Sequence, residues 1–236
     1  MIYMQFYETL PNFIYDWIDT GKIAETLKLP FFMLSETPLG LAIDFKWLYN
    51  INSGFTVIGA VLISILIKKY NTMNGLLLGL IIATFGILIS GLTNNSSYLI
   101  IGMMTYTLGE MITNPKFSQY MSEIAPVNKK SMFMGYINLA LAIGFGMGSL
   151  IGGFLYKNYS EKSGLAIKYL HEELGINNAT HKNAFSLLME KKNIGYGDAT
   201  NLLWNYYNPE LIWIIFGVIG IVSFAMLLWG KRTAIK

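Results

Sequence analysis

The residue that most narrows the chemistry of this chain is Glu110, an acidic side chain in the middle third of an otherwise apolar run. A carboxylate there costs about 2.5 to 3.5 kcal/mol on insertion scales, so it requires a cavity, a partner or a proton. Its neighbours at helical spacing are polar. Tyr106 and Thr107 lie one turn before it, and Thr113 and Asn114 one turn after, which draws a polar stripe along one helix face. Pro115 removes a backbone donor beside that stripe and predicts a kink that frees the carbonyl of Met111. Such a stripe either lines a pathway, where Glu110 binds a solute or a proton, or joins two helices by an interhelical hydrogen bond. Glu8 repeats the theme near the start of the chain. Gln5 and Asn12 share its helical face, and Pro11 again predicts a break.

Other chemistries lack their residues. With no cysteine there is no thiol nucleophile and no Cys-based zinc site, and His171 and His181 lack metal-ligand spacing, so no metal or cofactor is expected. No His-Glu-x-x-His, Gly-x-Ser-x-Gly or Walker loop occurs, so an enzyme is not expected either. The net charge of +3 is small and its lysines are scattered, which argues against nucleic acid as a partner.

The elements that must position Glu110 follow from composition. Of 236 residues 53% are hydrophobic and only 13% charged, about half the usual charged share. From Trp47 to Pro115 the formal charges are Lys68, Lys69 and Glu110 alone, and none occurs from Ser131 to Tyr156 or from Leu211 to Gly230. Runs of this length match the roughly 20 apolar residues that span a bilayer. They are continuous rather than alternating, which excludes barrel strands. The fold class is therefore all-α, a polytopic membrane protein with the lipid bilayer as its surroundings. Six spans are predicted: Ile2 to Trp17, short and apparently lacking its beginning, then Asn52 to Ile67, Asn74 to Leu92, Tyr98 to Tyr120, Met132 to Tyr156, and Leu211 to Trp229.

Lys68 and Lys69, Lys129 and Lys130, and Lys231, Arg232 and Lys236 all fall at one end if every span crosses once. By the positive-inside rule that end is cytoplasmic, as is the C-terminus. Residues 1–156 then form five spans with an outer loop at 21–47, broken by Pro30 and Pro38. Residues 157–208 form an outer segment, and 209–236 the last span and tail. In the outer segment Ser163, Thr180 and Asp198 are predicted to cap three short amphipathic helices. Their apolar sides are Leu165, Ala166, Tyr169, Leu170 and Leu174; Phe185, Leu188 and Met189; and Leu202, Leu203 and Tyr206. Gly144, Gly148 and Gly152 on the fifth span form a small-residue groove that lets another helix approach closely, a packing signal rather than a site.

The series Gly109-Glu110, Pro115, Ala125-Pro126, Met134-Gly135 and Ala142-Ile143-Gly144 resembles the tenth and eleventh helices of the major facilitator superfamily, most closely its proton-dependent oligopeptide transporter branch. Trp47-Leu48-Tyr49-Asn50-Ile51-Asn52 is similar to the approach to the eighth helix. The resemblance implies that the six spans are helices seven to twelve, the C-terminal half of a secondary transporter. The partner would be an N-terminal six-helix half or another copy, and the cargo a small-molecule substrate with protons. It implies a substrate-contacting role for Glu110 and Asn52, and a cavity-lining one for Gln5 and Glu8. Ser53 and Val61 stand where the branch has prolines, and the segment after Tyr156 is unusually long. A bacterial inner membrane is the implied location, and a non-transporting sensor or scaffold of the same fold is the alternative.

Overall fold

The structure is a computed structural model that describes residues 1–37 and 40–234. Pro38 and Lys236, named above, lie outside the described residues. The element order is α1 (Ile2–Trp17), α2 (Gly21–Thr26), β1 (Leu34–Thr37), β2 (Gly40–Ile43), α3 (Phe45–Ile67), α4 (Thr72–Gly91), α5 (Ser96–Ile124), α6 (Lys130–Tyr159), α7 (Lys162–Leu174), α8 (Ala184–Lys192), α9 (Tyr196–Tyr207) and α10 (Ile212–Ala234). The all-α class holds, and every predicted span is a helix. Three of them start where a side chain satisfies an orphan backbone donor: Asp44 accepts from Lys46 N at 2.8 Å, Asn71 from Met73 N at 3.0 Å and Asn95 from Ser97 N at 2.9 Å.

Among the described residues the segments Lys46–Ile67, Thr72–Gly91, Val127–Leu174 and Pro209–Thr233 contain helices long and apolar enough to cross a membrane. The third of these is too long for one span; its chain turns at Ser160, leaving α6 as the spanning part and α7 outside it. The other two predicted spans fall short for different reasons. At 16 residues α1 is about 24 Å long, and α5 has the length but carries Glu110, Lys116 and Glu123 in its second half. Apolar side chains face outward along α3 and α6: Val57 is 79% exposed and Leu150 76%. That is the distribution expected where lipid or another helical body replaces water.

The tightest seam joins α4 to α5. A Cβ on Gly86 would lie 2.2 Å from the backbone N of Tyr106, and one on Gly109 would lie 2.3 Å from that of Ala83. Glycine at both positions brings two backbones into contact. The predicted groove on α6 is also occupied. Met4 packs on Gly148, and Gln5 and Thr9 fill the space over Gly152, so α1 lies along α6. The lysine-bearing turns meet at one end of the bundle, where Lys231 Nζ donates to Asn74 Oδ1 at 2.6 Å. At the other end Asp19 bridges Asn95.

Three sequence expectations need correction. The loop predicted over 21–47 holds α2, an antiparallel hairpin pairing Leu34 with Ile43 and Thr37 with Gly40, and the first turn of α3. Its strands are only four residues long, too short for a periodic signal. Pro11 does not break α1, which runs on through it, and Pro115 likewise stands inside a continuous α5. The three short helices of 157–208 are present, but Glu161, Asn183 and Gly195 occupy the cap positions in place of Ser163, Thr180 and Asp198. At the second, the Asn183 carboxamide accepts from Thr180 N at 2.7 Å, so the bond runs opposite to the predicted one. Leu165, Ala166, Tyr169, Leu170, Leu188 and Leu203 are buried as expected, whereas Tyr206 turns outward and donates to Glu173 at 2.6 Å.

Candidate functional site

Three helices meet at Glu110. Tyr7 of α1 donates its hydroxyl across both carboxylate oxygens, at 2.8 and 2.9 Å. Asn52 of α3 donates its carboxamide to the Tyr7 oxygen at 3.4 Å, and Thr56 donates to the Asn52 carbonyl at 3.2 Å. The order Thr56, Asn52, Tyr7, Glu110 is thus a directional chain in which each group donates to the next. A donor to the phenol oxygen polarises the phenol O–H, so the chain strengthens the bond that reaches the carboxylate. Asn52 is 5% exposed, while Glu110 and Tyr7 are half-buried. No cation lies within ion-pair distance of Glu110 among the described residues; the pair found there is His181 with Glu161 at 3.7 Å. A half-buried carboxylate that is hydrogen-bonded but has no counter-cation can accept an ammonium group or a proton.

The remaining predicted site residues scatter. Gln5 is 1% exposed and donates to Gly148 O at 2.8 Å while accepting from Thr9 at 2.6 Å, so it joins α1 to α6. Tyr106 is fully buried and stacks on Phe6 with ring centroids 4.0 Å apart. Glu8 and Asn114 are exposed, and the Asn12 carboxamide donates to Glu8 O at 3.0 Å. Glu110 and Asn52 are therefore the two the fold brings together, with Tyr7 as the link.

Two further polar clusters carry no sequence expectation. At the lysine end, Lys116 is 4% exposed and donates to Tyr70 O at 2.9 Å and Gln119 Oε1 at 3.1 Å. Glu123 there accepts from Thr72 at 2.7 Å and Gln119 at 2.8 Å. Lys116 lies inside the span predicted over Tyr98 to Tyr120, and a second charge in that run is the signal that marks it. At the opposite end α7 is clamped to α1. Asp16 accepts from the Tyr156 hydroxyl and from Lys162 N, and Trp17 Nε1 donates to Ser160 O at 2.8 Å. Burial pushes the Lys162 ammonium down to about 8, with the Asp16 charge opposing the shift.

A bundle of long apolar helices with a carboxylate, Glu110, hydrogen-bonded where three of them meet is the build of a helical membrane protein with an internal polar site. Comparison with known proteins agrees. The Major Facilitator Superfamily matches residues 24–167, more than half of the chain, and the protein belongs to that family. "Multidrug resistance protein MdtH" of Cronobacter sakazakii is 24% identical over 188 residues, 78% of this chain and 35% of that protein. The protein of the same name from Citrobacter koseri is 25% identical over 70% of this chain and 31% of its own. "Uncharacterized MFS-type transporter YttB" of Bacillus subtilis is 26% identical over 51% and 31%. The chain thus spans about a third of the length of the curated relatives it matches. No solved structure gives a significant match.

Proposed function

We propose that this chain supplies helices seven to twelve of a proton-coupled secondary transporter, and that a second six-helix body completes the substrate path. The observation that carries the reading is the Thr56–Asn52–Tyr7–Glu110 chain, which draws on three helices and ends on a carboxylate with no cation at ion-pair distance among the described residues. Alternating access places the substrate near midplane between two repeats that rock against each other. The outward-facing apolar lengths of α3 and α6 are the surfaces such a body would cover. In this reading Glu110 takes a proton in one half of the cycle and the cationic group of the solute in the other. Protonation makes one carboxyl oxygen a donor and leaves the other an acceptor, so the Tyr7 hydroxyl, shared between both oxygens in the ionised form, is confined to one of them. An ammonium is common to the amino terminus of a small peptide, to other zwitterions and to those drugs that carry an amine, drugs being the cargo that the name "Multidrug resistance protein MdtH" of the relatives points to. Resemblance to the peptide branch favours the first. The lysine-bearing end faces the cytoplasm of a bacterial cell, and 157–208 faces outward.

The chain co-expressed with a six-helix N-terminal half and reconstituted in liposomes tests this. Under an inward proton gradient, glycylglycine uptake or the counterflow of a lipophilic amine is expected. Glu110→Gln keeps the shape and removes the titration, so it should abolish gradient-driven flux, a loss of at least a hundredfold, with membrane insertion intact. Tyr7→Phe should lower flux about tenfold and shift its pH dependence. Unchanged flux in Glu110→Gln would leave Glu110 as interhelical glue.

A further inference from the structure

The cavity at the end of the bundle opposite the lysine turns has the features of a second solute site. It encloses about 550 Å³, within the range of small-molecule sites, and is walled by the end of α1, the β1–β2 hairpin, α7 and α9. Lys162 reaches it from α7. Its side chain is 6% exposed and its ammonium donates to Tyr196 and Thr200 hydroxyls, both at 3.2 Å. The faces of Trp17, Phe185 and Tyr196 surround it at 4.7 to 5.3 Å. An ammonium has three N–H donors, so one is left without an acceptor among the described residues. No carboxylate lies within ion-pair distance of it among those residues either, the pair present there being that of His181 with Glu161. Ring faces and hydroxyls lessen the cost of burying a charge but do not neutralise it.

The same cavity has an opposite pole. Asp19, Glu36 and Asp44 line it from the end of α1 and from the hairpin, with Lys22 among them, while Asp16 lines it beside Lys162 with its carboxylate held by Tyr156 and Lys162 N. Asp19 and Asp44 each give one oxygen to a backbone N–H, of Gly21 and Lys46, and Glu36 is exposed. An anion alone would meet these carboxylates and a cation alone would meet Lys162. A solute that carries both charges satisfies both walls.

We propose that this cavity binds a small zwitterion, its carboxylate on the Lys162 ammonium and the Tyr196 hydroxyl, with Thr200 holding Lys162 in place while its own proton goes to Tyr196 O, and its ammonium toward the acidic wall. The site lies apart from Glu110 and shares no residue with it, so it stands whether or not Glu110 serves transport.

The test is calorimetric titration of the full chain in lipid nanodiscs, carried out in the Glu110→Gln background so that the central carboxylate contributes nothing. The probes are glycylglycine, which bears both charges, acetate, and ethylammonium. Glycylglycine should bind saturably and at least tenfold more tightly than either single-charge probe. Lys162→Met should weaken it at least tenfold, and Thr200→Val a few-fold with the charge retained. Affinity for trimethylglycine, whose quaternary cation has no proton to lose, should fall as pH rises through about 8, where Lys162 loses its proton, and the loss should be absent in Lys162→Met. Asp16, Glu161, Tyr156 and Tyr196 beside Lys162 and Asp19, Lys22, Glu36 and Asp44 on the far lining are the other titratable groups at the site. Retained tryptophan emission from Trp17 and Trp204 in each variant shows that the short helices are still docked. Equal binding of all three probes, equal binding by Lys162→Met with docked helices, or no saturable heat with glycylglycine would overturn the proposal.

Discussion

The α4–α5 seam and the surroundings of α1 are built on opposite principles. Between α4 and α5, glycines place backbone on backbone, and the Cβ positions at Gly79, Gly86, Gly102 and Gly109 are already occupied by the other helix. Around α1 the contacts are made by side chains: Tyr7 to Glu110, Gln5 to Gly148, Trp17 to Ser160 and Asp16 to Tyr156. A backbone seam has one geometry and resists any slide, because close-packed surfaces lack room to adjust. Polar side-chain contacts can be exchanged for others at small cost. The difference places the rigid platform under α5 and the adjustable element at α1, with Glu110 on the platform and its hydroxyl donor on the movable helix.

The most disruptive change should fall on the platform. Gly109→Leu must displace the backbone of Ala83 and should cost about 3 kcal/mol or more. Gly135→Leu, with nothing within 4 Å of its Cβ position, should stay within about 0.5 kcal/mol. Both are read from denaturant midpoints in detergent micelles, and equal effects would erase the contrast.

Next in size is the Lys162 clamp at the end of α1. Its native pKa of about 8 lies below the ordinary 10.5, so between those values the unfolded chain binds more protons than the native one. Stability should therefore rise with pH across that window, by roughly 3 kcal/mol if the whole shift is realised. Below about 8 both states are protonated and the dependence should vanish. Lys162→Met should flatten the difference between pH 8 and 10.5 in guanidinium titrations followed by tryptophan emission.

The smallest effect is expected inside the adjustable region. Gln5→Leu removes the bonds to Gly148 and Thr9, and interhelical hydrogen bonds of this kind contribute about 0.6 to 2 kcal/mol in membranes. A loss as large as that of Gly109→Leu would mean that α1 is as fixed as the platform.

Much of this division could be read from residues alone. Apolar run lengths located the helices, and Glu110 stood out because it places a charge where an apolar residue is expected, whereas Asn52 came only from the resemblance of the stretch from Trp47 through Asn52 to the approach to an eighth helix. The spacing of Gly144, Gly148 and Gly152 announced a close helix contact, and the structure shows that α1 makes it. Tyr7 did not stand out. It is one of 15 tyrosines, and nothing local distinguishes a phenol that meets a carboxylate 103 positions away from Tyr106, whose ring is stacked in the core. The stripe around Glu110 misled for the same reason, since helical spacing gives a face but not what that face meets. The hairpin of 34–43 stayed hidden because four-residue strands offer two side chains per face.

The offset between α1 and its partners has a consequence for how the chain is made. Gln5 finds Gly148 and Trp17 finds Ser160, each 143 positions later, and Phe13 packs edge-on against Trp213 near the end of the chain. The α4–α5 hairpin can close as soon as its own 53 residues from Thr72 to Ile124 have left the ribosome. Helix α1, about 24 Å long and bearing Glu8 and Asp16, is made before α4 and α5 yet has to wait for partners synthesised more than a hundred positions later. At the 5 to 20 residues per second of translation, that wait is on the order of ten seconds. During it the insertion machinery, or another chain, must shelter the helix that will later hold Glu110's hydroxyl donor.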